Sequence, residues 1–148
     1  MSGTRKIRQW LQDADAHRGM DSLLTHLGIC GAPEWNEVGA VIRLTLRQIH
    51  MNGGASAHGG LVATLLDAVM ACSSATPEET RSCVTVEMKV NYMRPGGAVG
   101  TVLTAQGELK ACSRTLAFCE GEIRNEAGEL LATGSGTFKY LAHSPMTL

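Results

Sequence analysis

Aromatic residues are scarce in this chain, at 4%, and no stripe of lysine and arginine runs through it. With a formal net charge of −1, binding driven by neutralising phosphates is not expected, and no nucleic-acid partner is predicted. CxxC pairs are missing as well. Cys30, Cys72, Cys83, Cys112 and Cys119 are an odd set without such spacing, which argues against a disulfide framework or a zinc knuckle and for reduced thiols in the cytoplasm. His17, His26, His50, His58 and His143 show no ligand spacing, so no metal and no cofactor are expected. The first residues, MSGTRKIRQW, lack the apolar stretch of a signal peptide. The longest mainly apolar run, Gly59 to Ala75, is short for a membrane span and carries Asp67 at its middle. A soluble core helix suits it better.

What is present is periodic. The 148 residues suffice for one domain with a sizeable core. Ile7, Trp10, Leu11 and Ala14 have the spacing of a short amphipathic helix. A further turn or two is expected over Asp21 to Leu27, ended by Gly28. Val38, Ala40, Ile42, Leu44 and Leu46 alternate as a strand does. A polar, glycine-rich stretch from His50 to Gly60 leads into a helix over about 60–74. After a polar connection over Thr76 to Ser82, strands are expected at Val84–Tyr92, Val99–Leu109, Thr115–Arg124 and Glu129–Leu141. Arg94 to Gly97, Lys110 to Arg114 and Asn125 to Gly128 are read as the turns between them. Short turns imply antiparallel neighbours, and one such sheet is long enough to wrap the single helix. The expected division is a helical extension over 1–35, a wrapped-sheet domain over 36–142 and a tail over 143–148.

Asp67 is the only charge between Gly59 and Ala75, with Leu65, Leu66, Val69 and Met70 around it. A carboxylate in an apolar setting costs several kcal/mol unless it is paired or protonated. Such a residue is either a structural carboxylate with a buried partner or a catalytic one. His58-Gly59-Gly60 opens the same helix, where the first N–H groups have no internal partner and glycine admits a ligand to the backbone. That suits an oxyanion, although glycines before a helix are more often a plain turn. Asn52 suits a carbonyl ligand or a loop turn. His58 suits a base or, better, an orienting role. Cys72 is read as core, because no histidine is placed to activate it. On the strand from Val84, alternation puts Val84, Val86, Met88, Val90 and Tyr92 on one face. It puts Thr85, Glu87, Lys89 and Asn91 on the other.

Taken together, Asn52-x5-His58-Gly59-Gly60-x6-Asp67 resembles the signature of the hotdog-fold thioesterases, in the phenylacetyl-CoA thioesterase branch and its mammalian acyl-CoA relatives. The similarity continues through Thr85 to Pro95 and returns at Thr115 to Phe118, covering roughly 38–140. The resemblance implies an α+β hotdog fold, an antiparallel sheet wrapped around a long central helix. It implies metal-free hydrolysis of acyl-CoA or aryl-acyl-CoA thioesters and assembly into homodimers, usually homotetramers. By position, Asp67 is then the general base or nucleophile and the Gly59 N–H polarises the thioester carbonyl. Asn52 orients the acyl group or water, Thr85 helps place water, and His58 is structural or orienting. Gly60 joins the substrate-binding backbone. Lys110, Ser113 and Arg114, read as a turn beside the matching Thr115 segment, are candidates for the CoA phosphates, with a solvated turn as the alternative. A hydroxyacyl thioester dehydratase or a non-catalytic acyl-CoA binding protein on the same scaffold are the competing readings. The Pro-rich segment around the dehydratase histidine is missing here. Few aromatics argue weakly against a stacking pocket, and the acyl group stays open.

Helix geometry adds one expectation. Gly59 and Asp67 are eight residues apart, roughly 12 Å along the axis. One thioester carbonyl is too small to span that gap, so two antiparallel copies of the helix in a two-fold dimer are expected to complete each site.

Overall fold

The computed structural model describes residues 23–29, 33–75 and 81–141. The amphipathic pattern over Ile7 to Ala14, most of the connection after Ala75 and the tail lie outside the described residues. A short helix, α1 (Leu23–His26), is followed by Gly28 at φ 73°, as the glycine stop predicts. Strands β1 (Glu34–Trp35) and β2 (Ala40–Thr45) come next. A 3-10 turn at Gln48–His50 and a polar loop lead to the central helix α2 (Gly59–Ser73). Then come β3 (Cys83–Tyr92), β4 (Val102–Cys112), β5 (Leu116–Arg124) and β6 (Leu130–Tyr140). The expected helix and the five expected strands are all there. Strand β1 is additional, too short to show a period. No helix among the described residues is long and apolar enough to cross a membrane.

The six strands form one sheet in the order β1-β2-β4-β5-β6-β3, every pair antiparallel. Consecutive strands are therefore not always neighbours. The expected pairing of β3 with β4 is replaced by pairing with β6, and β4 lies beside β2. The reason is the loop after β3. It holds Pro95 and runs to Thr101, far longer than a hairpin turn, so it crosses the open end of the sheet instead of reversing tightly. The second correction concerns Lys110 to Arg114. Lys110 and Cys112 belong to β4, and the reversal is confined to Ser113–Thr115.

Buried residues on α2 recur as Leu61/Val62, Leu65/Leu66, Val69/Met70 and Ser73, a stripe one turn apart that faces the sheet. The sheet meets it with Leu103, Ala105, Ala117, Cys119, Ile123, Ala132 and Phe138, all essentially buried. In the middle of this face the strands carry glycine. Gly107 pairs with Gly121, and Gly121 with Gly134, so three glycines form a row across β4, β5 and β6. A Cβ at Gly107 would lie 2.4 Å from Ser73 Oγ and 2.5 Å from the Val69 carbonyl oxygen. One at Gly121 would meet Met70 and Leu66 at 3.1 and 3.2 Å. The row is a trough into which the helix sinks, the wrapped-sheet arrangement that the resemblance implied. Ser73 Oγ, lodged at its end, accepts the Ala40 N–H at 3.1 Å.

The trough leaves no room for a methyl group against backbone. Gly107→Ala should lower stability by about 1–3 kcal/mol through overpacking, read as a shift of the urea midpoint. Gly53→Ala, where an added Cβ meets nothing within 4 Å and φ is not positive, is the control for a glycine in open space.

Candidate active site

The start of α2 is built by a tightly bonded loop. Buried His50 accepts the Arg47 N–H at Nδ1, 2.8 Å, so its other ring nitrogen is the donor to the Leu27 carbonyl, also at 2.8 Å. The His50 carbonyl in turn accepts the His58 N–H at 2.8 Å, and Ala57 N–H donates to Gly97. His58 is the N-cap: its Nδ1 accepts from Gly60 N–H at 2.8 Å, and its carbonyl accepts from Leu61 and Val62. These bonds consume the first-turn donors in order. Of the four first-turn N–H groups, that of Gly59 is the one with no hydrogen bond among the described residues.

That N–H borders a cleft of about 500 Å³ between the Asn52–Gly59 loop and Tyr92–Gly96, with buried Val62 and Leu131 in its wall. Asn52 lines it too. Its Oδ1 accepts from Gly54 and Ser56 N–H at 2.8 and 3.1 Å, so the side chain is the turn former that its type suggests. Its amide nitrogen remains for a ligand. Ser56 Oγ, buried and without a hydrogen-bond partner, belongs to the same lining. Tyr92 closes the cleft on the other side, and its hydroxyl donates to the Gly59 carbonyl at 2.7 Å.

Asp67 is elsewhere. It sits two turns further along α2, on the flank of the buried stripe, half-buried rather than enclosed as its apolar neighbours suggest. The apolar side chains around it turn toward the sheet, and the carboxylate turns toward β3. Thr85 Oγ1 donates to Asp67 Oδ1 at 2.7 Å. Strict alternation places Thr85 on the face opposite Met88 and Tyr92, and this is corrected by a bulge. The β3–β6 register shifts between Thr85 and Glu87, so Thr85 pairs with Phe138 while Met88 pairs with Gly136, both on the inner face. Val84 and Val86, grouped with Met88 by simple alternation, are exposed. One chain thus brings Asn52, His58, Gly59 and Gly60 together, and Asp67 with Thr85, as two separate groups. Asp67 does not line the cleft.

Residues 54–132 match the family profile described as the thioesterase superfamily. This chain belongs to the thioesterase superfamily. It is 27% identical to mouse acyl-coenzyme A thioesterase 13 over 92% of this chain and 95% of that protein. It is 30% identical to a Caenorhabditis elegans protein whose name marks it as a candidate esterase, over 71% of this chain but only 62% of the nematode protein. The E. coli PaaI protein from the phenylacetic acid degradation operon has the same fold, with a TM-score of 0.74 at 24% identity over 90% of this chain and 94% of that one.

For a thioesterase the remaining candidates are placed as follows. Ser113 Oγ accepts from Thr115 and Leu116 N–H and holds the β4–β5 turn. Exposed Lys110 is drawn to Glu108 at 3.3 Å and Glu120 at 3.7 Å, whose carboxylates raise its pKa. Arg114 is exposed. This turn belongs to the far end of α2. Thr115 accepts from the Tyr140 N–H, and the Tyr140 hydroxyl donates to the Ser74 carbonyl. The turn therefore does not meet Gly59 of its own chain. Cys72 is no thioesterase nucleophile: burial pushes its thiol up to about 11. The sequence reading overlooked Tyr92, Ser56 and the buried His50 as parts of the site. The signal for Tyr92 was its position at the end of the matching β3 segment.

Burial likewise pushes Cys119 and Tyr140 up to about 12, with neighbouring thiols adding to both. On unfolding, Cys72 and Cys119 return to an ordinary value of 9.0 and Tyr140 to 10.0, so the unfolded chain loses these protons first. Stability is therefore complete below pH 9.0 and falls as pH rises toward about 12, through raised thiol and phenol values. A urea midpoint that drops across that window is the expected result.

Proposed function

We propose that this chain hydrolyses acyl-CoA thioesters to the free acid and CoA at sites shared between two copies. The observation that carries the proposal is the separation of the half-sites. The unpartnered Gly59 N–H and its cleft sit at one end of α2, and the Thr85-bonded Asp67 sits two turns away on another flank. A thioester carbonyl oxygen held about 3 Å from Gly59 N–H needs an attacking group on its other side, and an antiparallel copy of α2 brings Asp67 there. Edge strand β3 supports such pairing, because among the described residues its outer backbone edge has no partner strand, and Val84 and Val86 beside it are exposed. Likeness to acyl-coenzyme A thioesterase 13 over nearly the whole of both chains supports the substrate class.

In this reading Asp67 uses the carboxylate oxygen that Thr85 leaves free. As a general base it takes a proton from water while the water oxygen bonds to the thioester carbon. The carbonyl oxygen gains the electron pair and is held by Gly59 N–H at the positive end of the helix. Collapse of the tetrahedral intermediate breaks the C–S bond, and the proton passes from Asp67 to the departing sulfur. In the nucleophile version an Asp67 oxygen bonds to the thioester carbon, the C–S bond breaks to release the CoA thiolate, and water then cleaves the anhydride, returning the carboxylate and the free acid. Asn52 offers its amide N–H to the acyl carbonyl or water, and His58 keeps Gly60 N–H out of competition. The β4–β5 turn lies beyond the Asp67 end of α2, so in the paired arrangement it approaches the partner's cleft. Arg114 and Ser113 then suit the CoA phosphates better than Lys110, whose charge is already answered by two carboxylates. The free thiols Cys72, Cys83, Cys112 and Cys119 support a reducing compartment, the cytoplasm, and a homotetramer of two such dimers is the assembly proposed.

Asp67→Asn should lower kcat by at least about 10²-fold in a chain that still folds, measured by thiol release from an acyl-CoA panel. A folded variant with near-normal turnover would exclude the assignment. Sharing is tested by mixing inactive Asp67→Asn with inactive Gly59→Pro, which lacks the N–H. Exchanged heterodimers should recover one working site, whereas verified heterodimers of native geometry that stay inactive, or an active monomer, reject it.

A further inference from the structure

The Gly59–Gly60 peptide is held from both ends. Its N–H, carried by Gly60, donates to His58 Nδ1 at 2.8 Å. Its carbonyl, carried by Gly59, accepts from the Tyr92 hydroxyl at 2.7 Å. Two successive glycines are the most freely rotating step a chain offers, and here they form the first turn of a helix, where internal bonds are fewest. Apart from the helix's own bond to the Gly59 carbonyl, nothing in these two residues stops that peptide from tilting. The two bonds come instead from the residue before the helix and from the last residue of β3, so the helix start is tied to the edge strand. The phenol also lies flat enough on the turn that a Cβ at Gly59 would be 3.4 Å from its Cζ and its oxygen. Leu61 and Val62 N–H are both spent on the His58 carbonyl. The remaining donor, Gly59 N–H, lies in the His58–Gly59 peptide, whose carbonyl those two bonds hold from one side. On the other side that peptide joins the clamped Gly59–Gly60 peptide at the Gly59 Cα, so the aim of the N–H is set by both.

We propose that Tyr92 is a positioning residue for the oxyanion donor: its hydroxyl fixes the Gly59–Gly60 peptide and with it the aim of the Gly59 N–H into the cleft. This rests on the reading of Gly59 as the donor and deepens it. Tyr92 exchanges no proton with the substrate and acts only through the backbone it holds. A mis-aimed N–H costs most where the oxygen is charged, in the transition state, and little in the bound ester. The effect therefore falls on kcat rather than on KM.

Tyr92→Phe keeps the ring and removes the hydroxyl. Loss of one ordinary intramolecular hydrogen bond should lower kcat about three- to tenfold. KM and the inhibition constant of CoA should stay within about twofold, and the pH profile should be unchanged, because no titrating group is altered. In the substrate-free protein, hydrogen exchange at the Gly60 amide should speed up by at least about threefold as the clamp loosens. Tyr92→Leu, which removes the ring as well, should share the kcat loss. A Tyr92→Phe loss of kcat below about threefold, an equal loss in KM, or unchanged exchange at Gly60 overturns the proposal. So does a full rate in Tyr92→Phe with only Tyr92→Leu slowed, which would assign the role to ring packing. A Tyr92→Phe chain that does not fold assigns the hydroxyl to stability and overturns it too. Exchange is read without substrate. A wild-type chain with no thioesterase activity would therefore defeat the functional reading, while Gly60 exchange would still decide whether Tyr92 holds the turn.

Discussion

Everything in this structure depends on how closely the central helix approaches the sheet. Side chains normally hold a helix and a sheet apart, and here the row Gly107, Gly121 and Gly134 removes them along the line of contact. Leu66 and Met70 enter the space, and Ser73 reaches across to the Ala40 N–H. A helix lodged this way cannot rotate about its axis without driving a side chain into strand backbone, since interiors are packed to crystal density. Its rotational setting is what sends Asp67 sideways toward β3 instead of down into the core.

Strand β3 then supplies the polar contacts that the core cannot. Among the described residues it sits at the sheet edge, paired only with β6. Its bulge turns Thr85 inward to meet Asp67, and its last residue, Tyr92, meets the helix start. The Thr85 hydrogen bond holds a carboxylate on a flank that would otherwise be apolar. The edge position leaves those contacts beside open surface, where a second copy and a ligand can both reach them.

The loop before the helix works by exhaustion of donors. His50, His58 and Asn52 each satisfy backbone groups, and every bond they make narrows what is left for a ligand. In the first turn of the helix, the N–H of Gly59 remains. The two readings of Asn52 and His58, turn former and functional residue, are therefore not alternatives. Both side chains arrange the backbone around the cleft.

Much of this was legible in the chain itself. Alternation and helical spacing located α2 and strands β2 to β6 within a few residues, because each buries one face and its period follows directly from backbone geometry. The Asn52, His58, Gly59 and Asp67 spacing picked out the groups now proposed to react, since such chemistry depends on type and local sequence. Alternation could not reveal the bulge that reverses Thr85, the placement of β3 against β6, the partner of Lys110, or the clamp of Tyr92 on Gly59. Each depends on contacts between residues far apart in the chain, and a bulge breaks the very period from which faces are read. Sequence by itself determined the elements and the chemical cast, because those rest on local spacing and residue type. Only the tertiary structure decided which groups meet, because the glycine trough and the edge strand set distances that no local rule contains.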